Sequence, residues 1–174
     1  IVSMTAARSV TATFTLQTFA LTVGTTGTGA GTVTGTGINC PVDCSETYNY
    51  NSQVTLTAVP ATGSTFTGWS GACTNSTGTC LVSMIAAKSV TAAFTLQTHA
   101  LSVSINGAGS GTVTGTGINC PGDCSEIYNY GTSVTLTASA AIGSTFVGWN
   151  GACPNSTGPC IVPMTAAKSV SATY

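Results

Sequence analysis

Residues Gly31 to Cys40 read GTVTGTGINC, and the same ten residues return unchanged as Gly111 to Cys120, 80 positions later. All four cysteines of one copy, Cys40, Cys44, Cys73 and Cys80, return on the same period as Cys120, Cys124, Cys153 and Cys160. Such repetition restricts the chain to an array of similar units, because each copy must fold by the same local rules and tolerate a copy beside it. Residues 15–94 and 95–174 are two full copies, about two-thirds identical. Residues 1–14 (IVSMTAARSVTATF) correspond only to the end of a copy, as at Leu81 to Phe94 and Ile161 to Tyr174. The expected organisation is therefore the final strand segment of a preceding repeat (1–14) followed by module 1 (15–94) and module 2 (95–174). Opening in mid-repeat, the chain is expected to be a segment or processed form of a longer precursor.

Within a unit, apolar residues alternate with polar ones at a period of two. Val54, Leu56 and Ala58 alternate with Thr55 and Thr57, and Val90, Ala92 and Phe94 with Thr91 and Ala93. This is the pattern of strands with one buried face. Further strands are expected at Phe19 to Val23, Gly31 to Gly35, Glu46 to Tyr50, Thr65 to Trp69 and Leu81 to Met84, separated by Gly, Asn, Pro and Ser clusters that favour turns. No long helical period exists; Ile85 to Lys88 has room for a single helical turn. The expected fold is all-β, each module a small β-sandwich, with a β-grasp-like arrangement as the alternative.

Comparison of the copies adds local geometry. Asn51 stands where Gly131 stands, and these residue types best tolerate positive φ, so a left-handed turn is expected there, with the flanking segments forming a hairpin. Ser83 is replaced by Pro163, which cannot donate a ladder hydrogen bond, so this position belongs on an edge strand, at a bulge, or outside the ladder. Gly24 to Gly31 and Ser104 to Gly111 read as a mobile glycine-rich loop. They lack the GK[ST] ending of a phosphate-binding loop.

A unit of 80 residues buries a modest core and gains from cross-links. Eight cysteines at fixed spacing point to disulfides in an oxidising compartment, hence an extracellular or cell-surface location. Local pairing of Cys40 with Cys44 and of Cys73 with Cys80, and likewise in module 2, is expected because sequence neighbours meet fastest. By loop-closure entropy such rings contribute about 2 and 2.5 kcal/mol, a crossed Cys40–Cys73 pairing about 4. Four cysteines allow three connectivities, and entropy alone favours the crossed one. A zinc site built from the four thiolates is the alternative, but the gap in the second pair is poor for it and reduced thiols would be needed. Neither pair has the CxxCH spacing of covalent haem attachment.

Only 4% of residues are charged, against about 25% in ordinary globular proteins, and the net charge is −1. This leaves no electrostatic footprint for nucleic acid or anionic lipid, while the weak mutual repulsion favours self-association. No apolar run reaches the roughly 18 to 20 residues of a membrane helix, so no membrane insertion is expected.

The ordered combination of Ile38 to Glu46 (INCPVDCSE), Val54 to Pro60 (VTLTAVP), Thr65 to Cys73 (TFTGWSGAC), Cys80, Met84 and Ala87 to Phe94 (AKSVTAAF) resembles the divergent internalin-type B-repeat family of bacterial surface and secreted proteins. Both copies are covered. The resemblance implies a small all-β module strung in tandem on large extracellular proteins, with no catalytic residues to carry over.

Candidate site residues are few. Trp69 and Trp149 are candidates for stacking on sugar rings, but each follows a strand and precedes a cysteine loop, which favours packing over the core edge. Tyr48 with Tyr50, and Tyr128 with Tyr130, form aromatic pairs suited to packing or inter-repeat contact. His99 replaces Phe19, so no repeated function depends on a histidine. Asp43 with Glu46, and Asp123 with Glu126, offer too few oxygens for calcium and are better placed to accept backbone hydrogen bonds in the cysteine turn. Lys88 and Lys168 align with Arg8, against an isopeptide cross-link in every unit. The sequons Asn75-Ser76-Thr77 and Asn155-Ser156-Thr157 are glycan acceptors in a suitable host. No Ser/His/Asp relay can be assembled in both copies, so no enzyme activity, cofactor or metal is expected.

The expected function is structural: a non-enzymatic stalk or filament of disulfide-stapled modules. The last strand runs into Thr95 to Val103 without a Gly/Pro/Ser-rich hinge, which predicts stiff coupling. The expected partners are other copies of the chain or neighbouring repeats, with Val10, Ala12 and Phe14 as an assembly strand adding to an open edge. The alternatives are an adhesin segment recognising a glycan or surface protein, and ice binding by the threonine rows Thr32, Thr34, Thr36, Thr55 and Thr57, a small surface for that purpose.

Overall fold

The computed structural model describes residues 1–153, 155 and 157–174. Module 1 contains β1 (Thr18–Thr26), β2 (Gly31–Gly35), β3 (Ile38–Cys40), β4 (Ser45–Asn49), β5 (Gln53–Pro60), β6 (Ser64–Gly71), β7 (Cys80–Ser83) and β8 (Lys88–Leu96). Module 2 repeats them as β9 (Thr98–Asn106), β10 (Gly111–Gly115), β11 (Ile118–Cys120), β12 (Ser125–Asn129), β13 (Ser133–Ala140), β14 (Gly148–Gly151), β15 (Cys160–Pro163) and β16 (Lys168–Thr173). No helix occurs among the described residues; Ile85 and Ala86, at the start of the segment with room for one helical turn, form a bend.

Each module is a sandwich of two four-stranded sheets. In module 1 these run β4-β1-β8-β6 and β3-β2-β5-β7; in module 2, β12-β9-β16-β14 and β11-β10-β13-β15. Alternation places one set of side chains between the sheets. Leu21, Val23, Val90, Ala92 and Phe94 from one sheet meet Val33, Val54, Leu56 and Val82 from the other, and all are buried. Burying a side chain of the size of Phe94 contributes about 1.5–3 kcal/mol.

The first and last strands of a module are parallel neighbours: Leu21 lies opposite Lys88 and Thr26 opposite Ala93. All other strand pairs in the module are antiparallel. The chain thus enters a module at one end of this sheet and leaves at the other. β8 also extends two residues past Phe94, because Thr95 and Leu96 pair with Thr65 and Ser64 of β6. Only Gln97 separates β8 from β9.

The residue pairs Phe66/Trp69 and Phe146/Trp149 are three apart, which conflicts with a period of two if both rings face the core. A β-bulge between Phe66 and Gly68 absorbs the extra residue and returns Trp69 to the inner face.

Asn51 (φ 65°) and Gly131 (φ 81°) are in the left-handed region, as expected. The flanking strands do not form a hairpin, however. β4 pairs with β1 in one sheet and β5 with β2 and β7 in the other, so the turn carries the chain between sheets. Pro163 ends the edge strand β15, opposite Ser133. The glycine-rich segment is not a free loop either. β1 continues through Thr26, the Gly29 N–H bonds to the Phe94 carbonyl (3.0 Å), and the Leu96 N–H bonds to Thr28 Oγ1 (3.2 Å). A Cβ on Gly29 would come within 2.6 Å of the Thr95 carbonyl carbon, so glycine serves close approach here.

Candidate functional site

Two local constructions recur in both modules, a cysteine turn with an acidic pair and a cysteine loop held by a tryptophan, and a third, the join, lies between them. The cysteines pair as Cys40–Cys44, Cys73–Cys80, Cys120–Cys124 and Cys153–Cys160. The first ring closes a tight turn in which the N–H groups of Val42 and Asp43 bond to the Asn39 carbonyl (2.9 and 2.8 Å). Asp43 Oδ1 accepts from the Ser45 N–H at 3.4 Å, and Glu46 Oε1 from the Thr47 N–H at 2.6 Å. Asp123 and Glu126 do the same toward Ser125 and Ile127. These carboxylates serve the backbone, and no group of three or more metal-ligating side chains is present among the described residues.

Beside this turn, the Tyr48 hydroxyl reaches from β4 to the carbonyl of Thr36 between β2 and β3, and the Tyr128 hydroxyl reaches Thr116, tying one sheet to the other. Burial pushes both phenols above the ordinary tyrosine pKa, and the neighbouring carboxylates, Glu46 and Asp43 or Glu126 and Asp123, add in the same direction.

Trp69 and Trp149 are only 5% and 3% exposed. Trp69 meets Phe66 edge-on, with centroids 5.2 Å apart, and Trp149 meets Phe146 in the same way. Both tryptophans hold the adjacent cysteine loop. The Trp69 main-chain N–H donates to the Asn75 carbonyl (2.8 Å) and its indole to Gly78 (3.1 Å); Trp149 bonds to Asn155 and Gly158 (2.7 and 2.9 Å). A sugar ring therefore finds no open indole face. In the sequon, the Asn75 carboxamide donates into its own loop, to the carbonyls of Thr77 and Thr79. In the second sequon Asn155 donates to Thr157 (2.7 Å), while Ser156 lies outside the described residues.

Val10, Ala12 and Phe14 are exposed, Val10 to 75% and Phe14 to 92%, and are not in a strand. Their counterparts Val90, Ala92 and Phe94 are buried in β8, between β1 and β6. In both modules that slot is filled by the module's own last strand, so strand addition at this place would have to displace β8 or β16.

At the join, the Gln97 N–H donates to the Gly63 carbonyl in module 1 (2.8 Å), and the Gln97 carbonyl accepts from the Tyr130 N–H in module 2 (2.8 Å). The Tyr130 ring lies on Gly63, where an added Cβ would fall into the ring, and meets His99 edge-on, with centroids 6.1 Å apart. Tyr130 is one of the aromatic residues expected to serve packing or inter-repeat contact, and it makes that contact; its partner Gly63 was not legible in the sequence.

The open groove over β9 and β16 is lined by Ser102, Ser104, Asn106, Ser169 and Ser171 among others, with no acid or base to work on a substrate.

The family of the divergent InlB B-repeat domain matches residues 21–98 and 101–174. No curated protein matches the chain. Among solved structures, the Bacillus anthracis TIE protein superposes with a TM-score of 0.48 at 8% identity, over 90% of this chain and 33% of that one. The chain thus spans about a third of that protein. The major pilin protein (T-13) of Streptococcus pyogenes superposes with a TM-score of 0.36 at 10% identity, over 92% of this chain and 98% of the pilin.

Proposed function

Because the chain belongs to the divergent InlB B-repeat family, we propose that it is a non-enzymatic structural segment of an extracellular or cell-surface protein, a stiff spacer of disulfide-stapled repeats. One observation carries this reading: the first and last strands of a module are parallel neighbours, and β8 passes into β9 through Gln97 alone. Entry and exit lie at opposite ends of the sheet, so tandem copies extend the chain instead of folding it back. The four disulfides support an oxidising environment. The partners in this reading are neighbouring repeats of the same protein, with folded modules meeting end to end. The filled slots make such contacts less costly than strand exchange through Val10, Ala12 and Phe14.

Small-angle scattering and non-reducing electron microscopy of the 174-residue chain test the proposal. Rods with the length of two modules placed end to end support it. A compact particle, or two modules sampling all mutual angles, would overturn it.

A further inference from the structure

The tyrosine–glycine contact at the join has a half-formed counterpart on either side: the Tyr50 ring meets Phe19 edge-on, with centroids 6.3 Å apart, as Tyr130 meets His99, but lies on no glycine. Tyr130 bonds to the Gln97 carbonyl and lays its ring on Gly63. Tyr50, its equivalent in module 1, makes the same main-chain bond to Gln17 (2.7 Å), yet its side chain is 49% exposed. Gly143, the equivalent of Gly63, has the same left-handed backbone (φ 83° against 76°), but an added Cβ there meets nothing within 4 Å.

We propose that the Gly63–Tyr130 contact, hinged on Gln97, sets the orientation of successive repeats, and that Tyr50 and Gly143 are the two halves of the same joint, each docking a further copy of this repeat in the same polypeptide. This rests on the structural reading above. Glycine is required on one side because the ring packs directly on the main chain, and φ near 76° disfavours any other residue. Tyrosine suits the other side because it brings a large apolar face at the cost of few rotatable bonds.

The occupant is a tethered repeat and not a free second chain. One ring and two main-chain hydrogen bonds fall far short of the roughly 1,200 Å² that stable association needs. A single-residue link such as Gln97 instead supplies an effective concentration of about millimolar or more.

The test measures residual dipolar couplings on the 174-residue chain and on the same chain extended after Tyr174 by a further copy of residues 95–174. In the shorter chain, Gly63→Ala and Tyr130→Ala are expected to abolish the alignment tensor shared by the two modules while each keeps its own fold. Gly143→Ala and Tyr50→Ala are expected to leave that tensor intact. In the extended chain, Gly143→Ala is expected to uncouple the second and third modules as Gly63→Ala uncouples the first two. If wild-type modules share a tensor that survives Gly63→Ala and Tyr130→Ala, the joint is wrong and the spacer reading stands. An extended chain whose third module tumbles freely with Gly143 unchanged would also overturn the joint. Wild-type modules that never share a tensor would overturn both.

Discussion

The indole of Trp69 and the carbonyl of Gly78, nine positions apart, are joined by a 3.1 Å hydrogen bond that reaches into the loop closed by Cys73 and Cys80. The loop is therefore held covalently and by Trp69, whose indole and main-chain N–H both bond into it. Trp69→Phe retains ring packing but loses the hydrogen bond and is expected to cost about 1 kcal/mol. Trp69→Ala opens a cavity and is expected to cost about 3–5 kcal/mol. Denaturant titration of the two variants, monitoring module 1, checks the ratio.

Since both fastenings act on one loop, they should not be additive. Cys73→Ala with Cys80→Ala is expected to cost about 2.5 kcal/mol in the otherwise native chain. Combined with Trp69→Ala, the total should depart from the sum by about 0.5 kcal/mol or more. A double-mutant cycle that closes to within error would show that the loop's two fastenings are independent.

His99 carries a buried Nε2 without a hydrogen-bond partner, at the position where module 1 has Phe19. An unpaired buried polar atom costs about 1–3 kcal/mol. His99→Phe is therefore expected to raise the thermal midpoint of module 2. A lower midpoint would mean that the imidazole makes a stabilising contact in solution.

The raised pKa values of Tyr48 and Tyr128 give a pH dependence with a definite sign. The folded state prefers the neutral phenol, so the unfolded chain ionises first as pH rises. The contribution of these tyrosines is fully present below the ordinary value of 10.0 and is lost as pH climbs through the folded values. Midpoints measured across alkaline pH should fall above about pH 10, and Tyr48→Phe with Tyr128→Phe should make that fall shallower. An unchanged slope would assign the alkaline loss to other groups.

The strands were legible wherever a run of alternating residues had one face to bury, as in Val54 to Ala58 and Val90 to Phe94. Asn51 opposite Gly131, and Ser83 opposite Pro163, also revealed backbone geometry, because each substitution is tolerated only in a narrow set of conformations. The partners of the strands were not legible. A left-handed turn at Asn51 serves a hairpin and a passage between sheets equally well, and β4 and β5 use it for the second purpose. β3 escaped notice because its three residues lie between Gly37 and Pro41, too short to show alternation. The glycines at 27–31 looked like slack chain, yet Gly29 and Gly31 are bare so that the main chain and the Phe94 ring can come close. The joint at Gly63 and Tyr130 depends on residues 67 positions apart that meet only when two modules are folded.

The parallel placement of β1 beside β8 has a mechanical side. A pull on the two ends of the polypeptide draws these neighbours in opposite directions along their length, from Leu21 opposite Lys88 to Thr26 opposite Ala93. Tension then acts in shear across the whole ladder at once and cannot peel it open one bond at a time. An array built this way resists traction without any module needing to be unusually stable at rest.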